Sequence, residues 1–155
     1  MNIVISNSTP IILFQNIGYL HLLKALYGKV HIPAAVHAEI VNEHDFLSGI
    51  DWIKVLNIQN TDARRLFRTS LHAGEVEAII LSTEMSADLL ILDDLLARKH
   101  AEFMGITIAG TLGVLLALKN KGIIQEVKPF LEQLIAVGMY IDNSLYANVL
   151  NLANE

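Results

Sequence analysis

The run Leu89-Leu90-Ile91-Leu92-Asp93-Asp94-Leu95-Leu96-Ala97-Arg98 decides the fold. Its first four residues offer no polar face, so they read as a strand covered on both sides. Two aspartates follow, and a helical pattern then runs from Asp94 to Met104, closed by Gly105. A doubly covered strand that passes directly into a helix belongs to a parallel sheet with helices on both faces. The same step recurs near the start of the chain. Asn2 to Ser6 is a short apolar strand rich in β-branched residues; Ser8 or Thr9 can cap the next helix, with Pro10 in its first turn. Such sheets place their sites beyond the carboxyl ends of strands, where the strand order reverses. Asn7, Asp93 and Asp94 each stand just past a strand, and they converge there if the two strands are neighbours.

Outward from these strands, apolar spacing predicts helix on both sides of Gly18, ended by Gly28. Val30-His31-Ile32 is a second strand, and Pro33 opens a helix to about Glu43. Trp52 to Ile58 is a third strand, at an edge. Helices follow from Thr61 to about Thr69 and from His72-Ala73-Gly74 to Met85. Ile106-Thr107-Ile108 is the last strand. Gly110-Thr111 opens a helix to Lys121. Pro129 lies in the first turn of a helix reaching Val137, and Ser144 to Ala153 forms a terminal helix.

At 155 residues the chain is expected to be one domain, 1–155, with a sizeable core. A net charge of −5 argues against a broad basic nucleic-acid surface. It leaves open an enzyme that handles phosphates through divalent metal, which brings its own positive charge. There is no cysteine, hence no disulfide framework or thiolate metal site. No apolar run approaches the ~20 residues that span a bilayer, so no membrane association is expected. The N-terminus lacks the pattern of a signal peptide, and a cytoplasmic location is the default. Nor is there a P-loop, a dinucleotide fingerprint, a nucleophile elbow or a zinc-type histidine spacing.

Five segments in fixed order make the chain similar to a known family. They are Ile5-Ser6-Asn7-Ser8-Thr9-Pro10, Ile32-Pro33-Ala34-Ala35-Val36-His37-Ala38-Glu39-Ile40, Gly74-Glu75-Val76-Glu77-Ala78-Ile79, Leu92-Asp93-Asp94-Leu95-Leu96-Ala97-Arg98 and Gly110-Thr111-Leu112-Gly113-Val114-Leu115-Leu116. Together they resemble the PIN-domain superfamily, and within it a bacterial and archaeal branch related to VapC-type toxins. The resemblance implies a mostly parallel five-stranded sheet in a three-layer α/β/α sandwich. It implies an endoribonuclease that cleaves single-stranded RNA with Mg²⁺ or Mn²⁺ held by carboxylates. It also implies pairing with an antitoxin protein, and a homodimer. Carried over, Asn7 stands where the family has its first metal-binding aspartate, and Glu39 matches the helix glutamate. Glu75 or Glu77 fills the third position, and Asp93 or Asp94 the fourth. Expected metal ligands are therefore Glu39, Glu77 (or Glu75 in its place), and Asp93 or Asp94. Thr9, Arg98 and Thr111 are the expected substrate contacts.

That chemistry suits the residue types. Phosphodiester hydrolysis needs an activated water and relief of phosphate charge. Hard divalent ions supply both and prefer carboxylate oxygens. Carboxylates gathered without metal repel, so at least one should carry a raised pKa. Each residue also has a plainer reading. Asn7 and Asp94 suit helix caps, Thr111 suits the N-cap of its own helix, and Arg98 could pair with Asp94 one turn away. Arg64, Arg65 and Arg68 form the densest basic patch, either a solvated helix face or a contact for RNA backbone or antitoxin. Because Asn7 lacks the family's charge, the alternative function is a catalytically degenerate PIN-like domain that binds RNA or a protein without cleavage.

Overall fold

Among the described residues, five strands form one sheet: β1 (Val4–Ser6), β2 (Val30–Pro33), β3 (Ile53–Leu56), β4 (Leu89–Ile91) and β5 (Ile108–Ala109). Their order is β3-β2-β1-β4-β5, and every pairing is parallel. The computed structural model describes residues 2–67 and 71–155. The helices are α1 (Ser8–Asn16), α2 (His21–Tyr27), α3 (Ala34–Glu43), α4 (Ala73–Glu84), α5 (Leu95–Phe103), α6 (Thr111–Asn120), α7 (Lys128–Ala136) and α8 (Asn143–Leu152). They cover both faces of the sheet, giving the three-layer α/β/α sandwich.

The apolar strands divide their side chains between two cores. Val4 of β1 and Ile91 of β4 join Ile11, Phe14, Leu23, Val36, Ile40, Leu115 and Leu131 on one face. Ile5, Leu90 and Leu92 point the other way, into Val76, Ile79, Ile80, Ala97 and Ala101 of α4 and α5. This two-sided burial is why the strands carry unbroken apolar runs rather than alternation. Each fully covered Ile or Leu contributes about 1.5–3 kcal/mol relative to exposure.

Strand order reverses between β1 and β4. The chain builds β1, β2 and β3 outward in one direction, then returns to lay β4 and β5 on the other side of β1. Val4, Ile5 and Ser6 stand level with Leu89, Leu90 and Ile91. The ladder continues one step further, since the Asn7 amide donates to Ile91 O at 3.0 Å and the Leu92 amide to Ala109 O at 2.9 Å. Asn7 and the Asp93-Asp94 pair thus leave the sheet side by side at the switch point.

Two segments differ from the sequence reading. The helix predicted over Thr61 to Thr69 is a 3-10 helix at Thr61–Leu66, while Arg68 and Thr69 lie outside the described residues. Its N-cap is Asn60, whose side chain accepts from the Ala63 amide at 3.3 Å. The run Thr61-Asp62-Ala63-Arg64-Arg65 has too few apolar residues to bury an α-helical face. The last strand lies at Ile108–Ala109 rather than Ile106–Ile108, because its partners are Leu90 and Ile91 at the end of β4.

Candidate active site

β1 delivers Asn7 to the floor of a cleft of about 690 Å³ at the carboxyl edge of the sheet. Asn7 occupies the N-cap position of α1 with extended backbone, yet its side chain makes no cap hydrogen bond. It is 5% exposed, and its Oδ1 is buried with no partner. A capping asparagine spends that oxygen on an amide of the first turn. Here the oxygen is unspent, at a typical cost of about 1–3 kcal/mol for a buried unsatisfied polar atom.

α4 brings Glu75 to the same cleft. Glu75 is 4% exposed. Its Oε1 accepts from the His72 amide at 3.0 Å, and its Oε2 is buried without a partner. Burial raises the Glu75 carboxyl above the ordinary glutamate range, and the adjoining Asp94 carboxyl pushes it the same way. The His72 amide and the His72 side chain oppose that shift. Asp94 serves two neighbours. As N-cap of α5 its Oδ1 accepts from the Leu96 amide at 3.2 Å, and its carboxyl also lies against Glu75.

α3 brings Glu39 to the same cleft, held by donors from two other helices. Ser8 Oγ donates to Oε2 at 2.7 Å, and the Gly74 amide donates to Oε1 at 3.0 Å. The approach is so close that a Cβ on Gly74 would stand 2.8 Å from Glu39 Cδ. Gly74→Ala should therefore push the Glu39 carboxylate out of place and cost about 1–3 kcal/mol; a thermal melt checks it, and an unchanged midpoint would show that the wall is soft.

The structure brings Asn7, Thr9, Glu39, Glu75 and Asp94 to one cleft, with Thr9 exposed at its rim. It places the remaining sequence candidates elsewhere. Glu77 accepts from the Ala35 amide at 3.1 Å and pairs with Arg64 at 2.6 Å. Asp93 accepts from both the Thr111 amide at 2.7 Å and Thr111 Oγ at 2.6 Å, so it ties β4 to the start of α6. Gly110, not Thr111, is the N-cap of α6. A Cβ on Gly110 would stand 2.7 Å from Arg98 Nη1 and 2.8 Å from Asp93 Oδ1, so a side chain there would break this junction. Arg98 lines a separate groove with Asp93, between α5 and α8. Within each acidic pair, then, one member faces the cleft and its neighbour fastens two elements together.

Sequence reasoning missed Ser8 as a carboxylate donor, Gly74 as the seat of Glu39, and Asn42, Glu43 and His72 as cleft residues. Gly74 was visible as a glycine immediately before a glutamate at a helix start. The others carry no local signal.

The donor set fits a hard divalent ion in type: two adjoining carboxylates and a partnerless amide carbonyl, all oxygen. It is short of charge, for among the described residues no three His, Asp or Glu gather closely enough to hold a metal. The chain matches a family model described as PIN domain (DUF3368) over residues 3–155 and belongs to that family. Comparison with curated proteins finds no match. PIN domains are nuclease-type domains that generally use divalent metal ions.

Proposed function

We propose that this chain is a metal-dependent endoribonuclease acting on single-stranded RNA, with the cleft at the β1–β4 switch point as its active site. The observation that carries this reading is the pair of buried oxygens without partners, Asn7 Oδ1 and Glu75 Oε2, in one cleft beside Asp94. Folding leaves such atoms unsatisfied at a cost, which a bound cation would remove. Mg²⁺ or Mn²⁺ would be held by Glu75 and Asp94, with Asn7 as a neutral donor. When bound, the ion would supply positive charge to the scissile phosphate and acidify an attacking water. Glu39 has two of its four acceptor positions occupied by Ser8 and Gly74, and the rest can orient water. Thr9, exposed at the rim, would contact phosphate. Among the described residues lining the cleft there is no lysine or arginine, and a bound ion would meet the phosphate charge there. Glu77, Asp93 and Thr111 act as fasteners of the walls.

Cleavage of a single-stranded RNA in Mn²⁺ should fall at least about a hundredfold on Asp94→Asn, since one of two charged donors is lost. Undiminished turnover in that variant would overturn the assignment. The finer reading is a VapC-like toxin component that dimerises and is neutralised by an antitoxin. It is supported by large apolar side chains left exposed around α5 and α8: Leu95 at 75%, Phe103 at 92% and Tyr140 at 85%. The second reading, a PIN-like domain that binds RNA or protein without cutting, is favoured by the missing third acid at position 7. Among the described residues, no helix is long and apolar enough to cross a membrane.

A further inference from the structure

α3 and α4 are joined by two carboxylates that run in opposite directions. Glu39 of α3 accepts from the Gly74 amide of α4, and Glu77 of α4 accepts from the Ala35 amide of α3. Ala35 and Glu39 are four residues apart, and Gly74 and Glu77 three, so each pair lies along one face of its helix. Both amides sit in the first turn of their helices, where no intrahelical acceptor exists. The two contacts therefore cap both helices and fix where one lies along the other. The far oxygen of Glu77 is held by Arg64 from the 3-10 helix, and the Glu77 side chain is only 7% exposed.

We propose that Glu77 is a positioning residue of the cleft, which acts through α3 to keep the Glu39 carboxylate seated on Gly74 and Ser8. Glu77 lies in the sequence motif beside Glu75 but touches a different set of groups. Its carboxylate sets the position of the α3 N-terminus. Glu39, one turn further along, follows any shift of that end. A slide or rotation of α3 that frees Ala35 draws Glu39 away from Gly74. The inference rests on the nuclease reading only in what Glu39 is positioned for; the linkage itself is a property of the fold.

The Gly74 amide reports the linkage directly, because among the described residues its acceptor is Glu39 on the other helix. In Glu77→Ala, its hydrogen exchange should quicken about tenfold or more relative to the Leu92 amide, which bonds within the sheet. RNA cleavage in Mn²⁺ should fall by about tenfold, because the water that Glu39 orients shifts with it. Glu77→Gln keeps an oxygen for Ala35 and should retain Gly74 protection. If the alanine chain does not fold, Glu77→Asp draws the oxygens back from Ala35 and should expose Gly74 in the same way. Gly74 exchange unchanged relative to Leu92, in whichever of the alanine and aspartate chains folds, overturns the proposal. A wild-type chain that neither binds Mn²⁺ nor cuts RNA would instead overturn the nuclease reading, with the exchange result still deciding this one.

Discussion

Asn7→Asp should tighten Mn²⁺ binding by roughly ten- to hundredfold. A carboxylate at position 7 would replace a neutral oxygen that is already buried and unpartnered beside Glu75. At an effective dielectric of about 20, a unit charge about 4 Å from another is worth about 4 kcal/mol before desolvation is subtracted. A net gain of about 1.4–2.8 kcal/mol is the stated factor in affinity. Without metal the sign reverses. Three carboxylates would then share a site where Glu75 is already burdened by burial and by Asp94, so the folded state loses stability. Thermal melts should therefore cross: the aspartate variant melts below wild type in EDTA and above it in saturating Mn²⁺. RNA cleavage should rise with the affinity. An active variant beside a silent wild type would identify a decayed catalyst. Melts that do not cross would remove position 7 from the metal site.

The parts of this architecture set by unbroken burial were legible in the chain. Leu89 to Leu92 and Ile3 to Ile5 carry no polar face, which forces helices onto both sides of the sheet and puts residues 7, 93 and 94 at its carboxyl edge. What stayed open was the direction of each acid. Asp93 and Asp94 are adjacent, and Glu75 and Glu77 are two apart, so neither spacing says which member faces a common cleft. That choice depends on partners distant in sequence: Thr111 takes Asp93, and Ala35 and Arg64 take Glu77. Local rules also suggested two side-chain caps that are not made. Asn7 suits a cap by type but leaves its oxygen unspent, and Thr111 is capped by Asp93 instead of capping its own helix. Ser8 was legible only as a cap candidate, whereas its hydroxyl crosses to Glu39, thirty-one residues away in sequence.

Glu75→Gln should separate stability from function in opposite directions. Glu75 carries the raised carboxyl of the cleft, so the folded chain holds a proton there more readily than the unfolded chain does. By linkage, its contribution to stability is fully present below the ordinary carboxylate pKa. It is lost as pH rises through the higher folded value. Above that folded value wild type bears an ionised, buried carboxylate with one oxygen unpartnered. Glutamine keeps the acceptor for the His72 amide, removes the charge, and adds a donor that can meet Asp94 or Asn7 Oδ1. In EDTA the variant should be more stable than wild type, by about 1–2 kcal/mol, once pH exceeds the raised folded pKa of Glu75. The gap should close as pH falls into the range where both side chains are neutral. In Mn²⁺ the order inverts: wild type gains melting temperature with metal, and the variant gains little. RNA cleavage falls with that lost response, as it does for Asp94→Asn. A glutamine variant no more stable than wild type at any pH up to the alkaline range would mean that the Glu75 carboxylate bears no burial cost. Its partnerless oxygen would then need no ion, and the observation on which the metal site rests would lose its force.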